Sequence, residues 1–206
     1  ILYSADKGGN ELTHIFLLDS NGTTTDLTPG KNEKAGFAGW SKDKKSMYFT
    51  SNKRNQQFFD FYKMNLDTRE IEIIYQNDNG INISDMSDDE TWFAFSQPIT
   101  TSENKLFLTN RINNLKIEIS ETPGSYNASG FSNDNKYFYY TTDVEKEFAY
   151  LVKFEMETRK KEIIYETNWD VMYSYMSENE RYRVIAINED GKNTLFIEDL
   201  ANNENI

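Results

Sequence analysis

The chain has 206 residues, a net charge of −12, no cysteine and an aromatic content of 15%. Its negative field repels phosphate backbones and anionic lipid surfaces, which excludes nucleic acid as a partner, and no run of about 18 apolar residues predicts membrane insertion. The absence of such a run predicts a soluble chain, and the aromatic content predicts a folded domain that is rich in strands. The lack of cysteine excludes disulfides and thiolate sites and leaves cytoplasmic, periplasmic and secreted locations all compatible.

Residues 1–33 begin with an apolar run at positions 1–4, pass through a polar loop and enter a second apolar run at positions 15–18. Short runs that are rich in aromatic and β-branched residues and bounded by Asn, Asp, Gly and Thr predict strands rather than helices. We interpret residues 1–33 as a partial unit of three strands, in which positions 1–4 correspond to positions 47–50 further along the chain. The first strand of this unit would precede residue 1.

A repeat begins with the sequence WSKDKKSMYF at residues 40–49. It consists of a large apolar residue, a serine, a short polar turn and an apolar run, and it returns as MSDDETWFAF, FSNDNKYFYY and MSENERYRVI. A near-constant period over four copies indicates a repeat architecture. The spacing is 46, 45 and 45 residues between the serines, which are Ser41, Ser87, Ser132 and Ser177.

Each copy of the repeat continues with further predicted strands. A polar loop leads to an apolar run, and a polar turn then leads to a second run such as IEIIYQ or KEIIYE. We therefore predict four strands in each complete unit. The expected division of the chain is a partial unit at 1–33, complete units at 34–79, 80–124 and 125–169, and a partial unit of three strands at 170–206.

The composition of the strands predicts how the units associate. A single four-stranded unit cannot cover both of its faces, whereas face-to-face stacking makes the second strand apolar on both sides, as at residues 47–49 and 137–140. The outer strand has one solvent-exposed face, which fits the alternation of apolar and polar residues at 71–73 and 115–119. We therefore predict an all-β fold, a β-propeller of four-stranded antiparallel blades. The first partial unit lacks its first strand and the last partial unit lacks its fourth, so the two cannot combine into one complete blade. We therefore expect an incomplete section of a larger propeller.

The polar residues of the repeat have a structural explanation. Serine and aspartate side chains hydrogen-bond to nearby backbone groups and promote a tight reversal from the first strand of a unit to the second. We assign a structural role in this turn to the following residues: Trp40, Ser41, Asp43, Ser87, Asp89, Ser132, Asp134, Ser177 and Asn179.

The element aromatic-Ser-x-Asp-x-Lys at residues 40–45, its copy at 131–136 with Asn133 between Ser and Asp, and the strand-turn-strand segment at 64–75 together resemble the TolB-like propeller repeat. Such repeats build the N-terminal propellers of serine peptidases of the prolyl oligopeptidase family, including dipeptidyl aminopeptidases and acylaminoacyl peptidases. The resemblance covers essentially the whole chain. It departs from the family pattern in one respect, since the glycine expected after the aspartate is replaced; the residues at this position are Lys44, Glu90, Asn135 and Glu180.

The resemblance implies a non-catalytic propeller domain that filters substrates for an α/β-hydrolase domain of the same parent chain, a serine peptidase. One alternative is a TolB-like scaffold that binds a protein or peptide ligand and has no associated hydrolase. Another is a propeller enzyme that acts on glycans through paired carboxylates. Dipeptidyl peptidases bind the free amine of their substrate with a pair of glutamates in the propeller. The Glu145-Lys146-Glu147 sequence does not match that motif.

No catalytic, cofactor-binding or metal-binding residue is predicted within the chain, and no cofactor is expected. There is no Gly-x-Ser-x-Gly elbow, and the single histidine, His14, enters an apolar strand, where a structural role is the simpler interpretation. The short Asp-Asn-Gly and Asp-Ser-Asn-Gly turns lack the ligand spacing of a calcium loop.

A rim of acidic and aromatic residues is the one candidate ligand surface. In a meander, the loops between strands two and three lie on the same side as the links between units. These loops and links are rich in acidic and aromatic residues, among them Asp143. Such a rim would bind a cationic or peptidic ligand; the alternative is an ordinary solvated acidic edge. The predicted ligand-facing residues are Asp85, Glu145, Glu147, Trp169, Asp170 and Tyr173.

Overall fold

The computed structural model describes residues 1–206 and contains nineteen β-strands and no α-helix. The strands form five sheets, in each of which strands that are consecutive in sequence lie side by side. The chain separates into two compact units, residues 1–82 and residues 83–206. None of its elements is a helix long and apolar enough to cross a membrane.

The first unit contains two sheets. Sheet 1 has three strands and sheet 2 has four, and every strand pair that follows in sequence is antiparallel. The strands of sheet 1 are β1 (Leu2–Ala5), β2 (His14–Leu18) and β3 (Thr24–Asp26). The strands of sheet 2 are β4 (Ala35–Trp40), β5 (Ser46–Ser51), β6 (Asp60–Asn65) and β7 (Ile71–Tyr75).

The second unit contains three sheets of four strands each. Sheet 3 consists of β8 (Asn82–Met86), β9 (Trp92–Pro98), β10 (Asn104–Asn110) and β11 (Lys116–Glu118). Sheet 4 consists of β12 (Tyr126–Phe131), β13 (Tyr137–Thr142), β14 (Tyr150–Glu155) and β15 (Lys161–Tyr165). Sheet 5 consists of β16 (Asp170–Met176), β17 (Tyr182–Glu189), β18 (Lys192–Asp199) and β19 (Glu204–Asn205).

Face-to-face packing of neighbouring sheets builds the core within each unit. In the first unit, Ile15 of sheet 1 packs with Met47 and Phe49 of sheet 2. In the second unit, Leu106 of sheet 3 packs with Phe138 of sheet 4, and a further cluster joins sheets 4 and 5. The second strands of sheets 2 and 4, β5 and β13, are buried over nearly their whole length and so on both faces, as their continuous apolar runs predict.

Two details of the strands differ from the sequence-based expectation. Sheet 5 has four strands rather than three, because Glu204 and Asn205 add a two-residue strand to the edge of β18. The outer strand β11 buries Ile117 as its alternation predicts, but Ile71 and Ile73 of β7 stay nearly half exposed. These two side chains line a cavity, and Ile163 at the equivalent position of β15 is exposed to the same degree.

Candidate functional site

The repeat turn has the same hydrogen bonds in all four copies. In the first copy, the Ser41 hydroxyl donates to Asp43 Oδ1 at 2.7 Å and accepts from the Ser46 backbone N–H at 2.9 Å, while Asp43 Oδ1 also accepts from the Lys45 N–H. Trp40 lies exposed at the end of the preceding strand, against Phe37. The serine and its acceptor therefore close the reversal between the first and second strands.

The other three turns repeat this arrangement. The serine hydroxyl donates to the side-chain oxygen two residues later at 2.7 to 2.8 Å, including the Asn179 carbonyl oxygen that replaces a carboxylate in the last copy. An amide oxygen accepts hydrogen bonds in the same geometry, so this replacement preserves the turn. The donor and acceptor pairs are Ser87 with Asp89, Ser132 with Asp134, and Ser177 with Asn179.

The residue that replaces the family's glycine is left-handed in every copy. Its φ angle lies between 54° and 59°, although only the third copy has asparagine, the residue that tolerates this region best. The turns are therefore of the same type, and the non-glycine side chains adopt the conformation at an energetic cost. These left-handed residues are Lys44, Glu90, Asn135 and Glu180.

The proposed rim is formed by two neighbouring segments of the second unit, the β13–β14 loop and the link that enters β16. The Asp170 carboxylate accepts a hydrogen bond from the Ala149 N–H at 3.0 Å, and the Val171 N–H donates to the Ala149 carbonyl. The rings of Phe148 and Trp169 are 6.3 Å apart and tilted by 45°. These contacts bring Trp169 and Asp170 next to the loop that carries the exposed acids.

The charged groups of the rim are partly neutralised. Lys146 forms an ion pair with Glu166, and its ammonium group lies 4.9 Å from the centre of the Tyr150 ring. Glu145 and Glu147 stay exposed, so the loop presents two carboxylates beside an aromatic surface. Aromatic faces and carboxylates both attract cations, which makes this surface suited to a positively charged group.

Two of the predicted rim residues lie elsewhere. Asp85 is the last residue but one of β8, close to the repeat turn, and its Oδ2 lies 3.5 Å from the position that a Cβ on Gly130 would take. Tyr173 lies within β16 and stacks on Tyr175 at 6.2 Å. Asp85 and Tyr173 each lie three residues beyond the first residue of their strand. Since a strand advances about 3.3 Å per residue, both lie roughly 10 Å from the edge formed by the loops.

Asp85 has an environment that the sequence did not indicate. Burial raises the pKa of its carboxyl to about 6, and the nearby charge of Asp88 acts in the same direction. The Met86 N–H donates to Asp85 Oδ1 and opposes this shift. The sequence did not reveal that Asp85 is half-buried, because it lies in a polar segment and sequence alone does not distinguish exposed from enclosed carboxylates.

The single histidine is held by an acid but not by a nucleophile. His14 Nδ1 lies 2.7 Å from Asp26 Oδ2, and the ring stacks on Phe16. The other ring nitrogen, Nε2, is buried and makes no hydrogen bond, so no serine hydroxyl approaches it. The pair therefore lacks the nucleophile contact that a Ser-His-Asp triad requires.

The sequence analysis missed a buried ionic network in the first unit. Asp60 is fully buried and accepts two hydrogen bonds from Arg54, at 2.7 and 2.9 Å, one from the Tyr62 hydroxyl and one from the Asn77 N–H. Burial alone would raise the Asp60 pKa, but these donors hold it below its usual value. Burial and the Asp60 charge raise the pKa of Tyr62 to about 12. The sequence signal for this network was an acid, Asp60, placed in the aromatic run FDFYKM six residues after Arg54.

Comparison with solved structures identifies the architecture. TolB from Acinetobacter baumannii superposes with a TM-score of 0.74 at 13% identity, over 99% of this chain and 51% of TolB. A Mycobacterium tuberculosis puromycin-hydrolyzing peptidase superposes with a TM-score of 0.70 at 9% identity, over 100% of this chain and 36% of that protein. The fold is a β-propeller.

Prolyl oligopeptidase B from Galerina marginata gives a TM-score of 0.64 at 15% identity, over 97% of this chain and 31% of the peptidase. The structural neighbours thus include TolB-like propellers and the propellers of prolyl oligopeptidase-family peptidases, as the repeat predicted. The chain spans about half the length of TolB and about a third of the peptidases. No protein-family model and no curated protein sequence matches the chain.

Proposed function

We propose that this chain is a non-catalytic β-propeller domain of a larger serine peptidase that resembles the prolyl oligopeptidase family. The observation that carries the proposal is the match of nearly the whole chain to about a third of two such peptidases. Its partner in this role is an α/β-hydrolase domain of the same parent chain. The propeller covers the hydrolase active site and admits substrates by size.

The reading frame of the parent gene provides the first test. We expect an α/β-hydrolase domain with a Gly-x-Ser-x-Gly elbow beyond residue 206. The purified 206-residue chain should not hydrolyse aminoacyl or peptidyl chromogenic substrates, whereas the parent protein should. A reading frame without a hydrolase domain, or turnover by the chain alone, contradicts the proposal.

A TolB-like scaffold that binds a protein or peptide is the second candidate. It is supported by the TM-score of 0.74 with TolB and by the exposed acids beside Trp169 on the rim. In this role the rim binds a basic peptide without any chemistry. A small α/β domain and a secretory leader in the parent gene, in place of a hydrolase, would favour this candidate.

Titration with a short lysine-rich peptide, followed by tryptophan fluorescence, tests the rim directly. Trp169→Phe should remove most of the fluorescence change, and Glu147→Gln should weaken binding and reduce its dependence on salt. Glu157→Gln is the matched control, because Glu157 is also exposed but lies in the β14–β15 turn. Equal binding by the Glu147 and Glu157 variants would exclude the rim as the binding surface.

A further inference from the structure

A cavity of about 380 Å³ lies between sheets 1 and 2 of the first unit. Its apolar walls are provided by Leu27, Phe49, Ile71 and Ile73, and Lys53 also lines it. Ligand sites in proteins are typically concave and mostly apolar, and they have a few polar groups that orient the ligand. The volume and the lining of this cavity fall within that description.

The interface between sheets 3 and 4 shows how the repeat fills the same location elsewhere. In both interfaces a serine or threonine hydroxyl accepts a backbone N–H: Thr28 accepts that of Ile15 in β2, and Ser120 accepts that of Leu106 in β10. The residue before this hydroxyl, Leu27 or Ile119, donates its own N–H to the carbonyl of the same residue, Ile15 or Leu106. The two locations are therefore structurally equivalent.

A lysine occupies the equivalent location in the second unit. Lys161, the first residue of β15, donates from Nζ to the Ile119 carbonyl at 3.1 Å and pairs with Glu121 at 3.2 Å. The first residue of β7 is Ile71, which cannot donate a hydrogen bond, and Pro29 stands where the repeat elsewhere has Glu121. The ion pair that closes one interface is thus missing from the other.

An aromatic ring is also missing from the first unit. Tyr126, the first residue of β12, packs on Tyr140 at 6.0 Å and donates from its hydroxyl to the Thr122 carbonyl at 2.7 Å. The first residue of β4 is Ala35, which presents only a methyl group. Both changes remove side-chain volume from the interface that contains the cavity; Ile71 lines the cavity, and Ala35 packs beside Phe49, which also lines it.

Three charged side chains line the cavity, Glu33, Lys53 and Arg54, and Lys53 is the one that can bind an anion. Arg54 is occupied by Asp60 and Asp78, and the Glu33 carboxylate accepts the N–H of Asn32 in its own loop. Lys53 is exposed, and its ammonium group makes no ion pair. The equivalent residue in sheet 4 is Val144, so the unpaired cation occurs only in the interface that contains the cavity.

We propose that this cavity binds a small apolar carboxylate, with the apolar group against Ile71 and Ile73 and the carboxylate on Lys53. The ligand replaces the volume that Tyr126 and Lys161 supply in the equivalent interface. A free acid and the C-terminal residue of a peptide share this chemistry. Neither a hydrolase partner nor the rim is involved in this site.

The test is an NMR titration of the 206-residue chain with 4-methylpentanoate, observed at the isoleucine methyl groups. We expect shifts at Ile71 and Ile73 with a dissociation constant of about 1 mM or below. The uncharged 4-methylpentanamide should bind about tenfold more weakly, as should the carboxylate to Lys53→Gln, because each loses a charge-assisted hydrogen bond. N-acetyl-alanyl-leucine is the second ligand: tighter binding than the free acid identifies a peptide terminus, and weaker binding identifies a free acid.

Matched variants separate cavity binding from general effects. Ile73→Trp should abolish the shifts by filling the cavity, while Ile163→Trp, at the equivalent and equally exposed position of β15, should leave them unchanged. Lys160→Gln should also bind like the unmodified chain. Binding of the acid and the amide with equal affinity, retention of full affinity by Lys53→Gln, or no shift at Ile71 and Ile73 would each overturn the proposal.

Discussion

Glu180 Oε1 accepts a hydrogen bond of 2.7 Å from the backbone N–H of Asn133. The two residues belong to the repeat turns of sheets 5 and 4, and Glu180 is the left-handed residue of its turn. The neighbouring turns of sheets 4 and 3 are also joined, because the Asn135 side chain donates to Asp89 Oδ2 at 2.8 Å. A glycine in place of Glu180 or Asn135 would relieve backbone strain but would lose that residue's hydrogen bond between sheets.

Replacing the left-handed residues by glycine should therefore have different effects in different turns. Arg159→Gly, at an exposed residue of the β14–β15 turn with a φ of 62°, should raise the free energy of unfolding by about 1 kcal/mol, because it removes the steric cost of a Cβ at positive φ. Glu180→Gly should give no gain, since the same relief is offset by loss of the hydrogen bond to Asn133. Urea denaturation midpoints of the two variants measure the difference, and an equal gain in both would contradict this role of Glu180.

The serine of the repeat turn should be important for stability. Ser132 is buried, accepts the Tyr137 N–H at 2.9 Å and donates to Asp134. Ser132→Ala leaves a buried N–H without an acceptor and should lower the free energy of unfolding by about 1 to 3 kcal/mol. Ser102→Ala, in an exposed loop, is the control and should change it by less than about 0.5 kcal/mol. Similar denaturation curves for both variants would argue against the structural role assigned to the turn.

The buried network around Asp60 makes a sharper prediction. Asp60→Asn removes the negative charge that neutralises Arg54 and should lower the free energy of unfolding by about 3 kcal/mol. Asp78 contacts the same guanidinium group but is mostly exposed, so Asp78→Asn should cost less than about 1 kcal/mol. Thermal unfolding of the two variants tests this contrast, which a comparable loss in both would refute.

We expect the Asp85 carboxyl to make a pH-dependent contribution to the free energy of unfolding, with a sign opposite to that of an ion-paired acid. Its folded pKa of about 6 lies above the unfolded value of 3.8, so the folded state binds the proton more tightly. The destabilisation is absent below the unfolded pKa, grows as the pH rises towards 6 and is complete above it.

Asp85→Asn should therefore stabilise the chain by on the order of 2 kcal/mol near pH 7 and have little effect near pH 4. The measurement is the difference in unfolding free energy between variant and unmodified chain across this range. Asp67→Asn, in the exposed β6–β7 turn, is the control and should show no such difference. A stabilisation that is independent of pH would contradict a raised pKa for Asp85.

The sequence by itself determined the repeat, the position of nearly every strand and the turn between the first two strands of each unit. These features depend on local patterns: apolar runs of strand length, a constant period, and a serine placed two residues before a hydrogen-bond acceptor. The short strand β19 was not predicted, because its two polar residues have no apolar pattern. They join the sheet only through pairing with Glu198 and Asp199.

Only the tertiary structure decided which sites exist. Asp85 and Trp169 were assigned to one rim because both lie near links between units, but their depth along the strands separates them. The cavity between sheets 1 and 2 lies in an interface where Ala35 and Ile71 occupy positions that elsewhere hold Tyr126 and Lys161. Such differences are small in a sequence pattern, yet they decide whether an interface is packed or open, because packing depends on the volumes of residues that are distant in the chain.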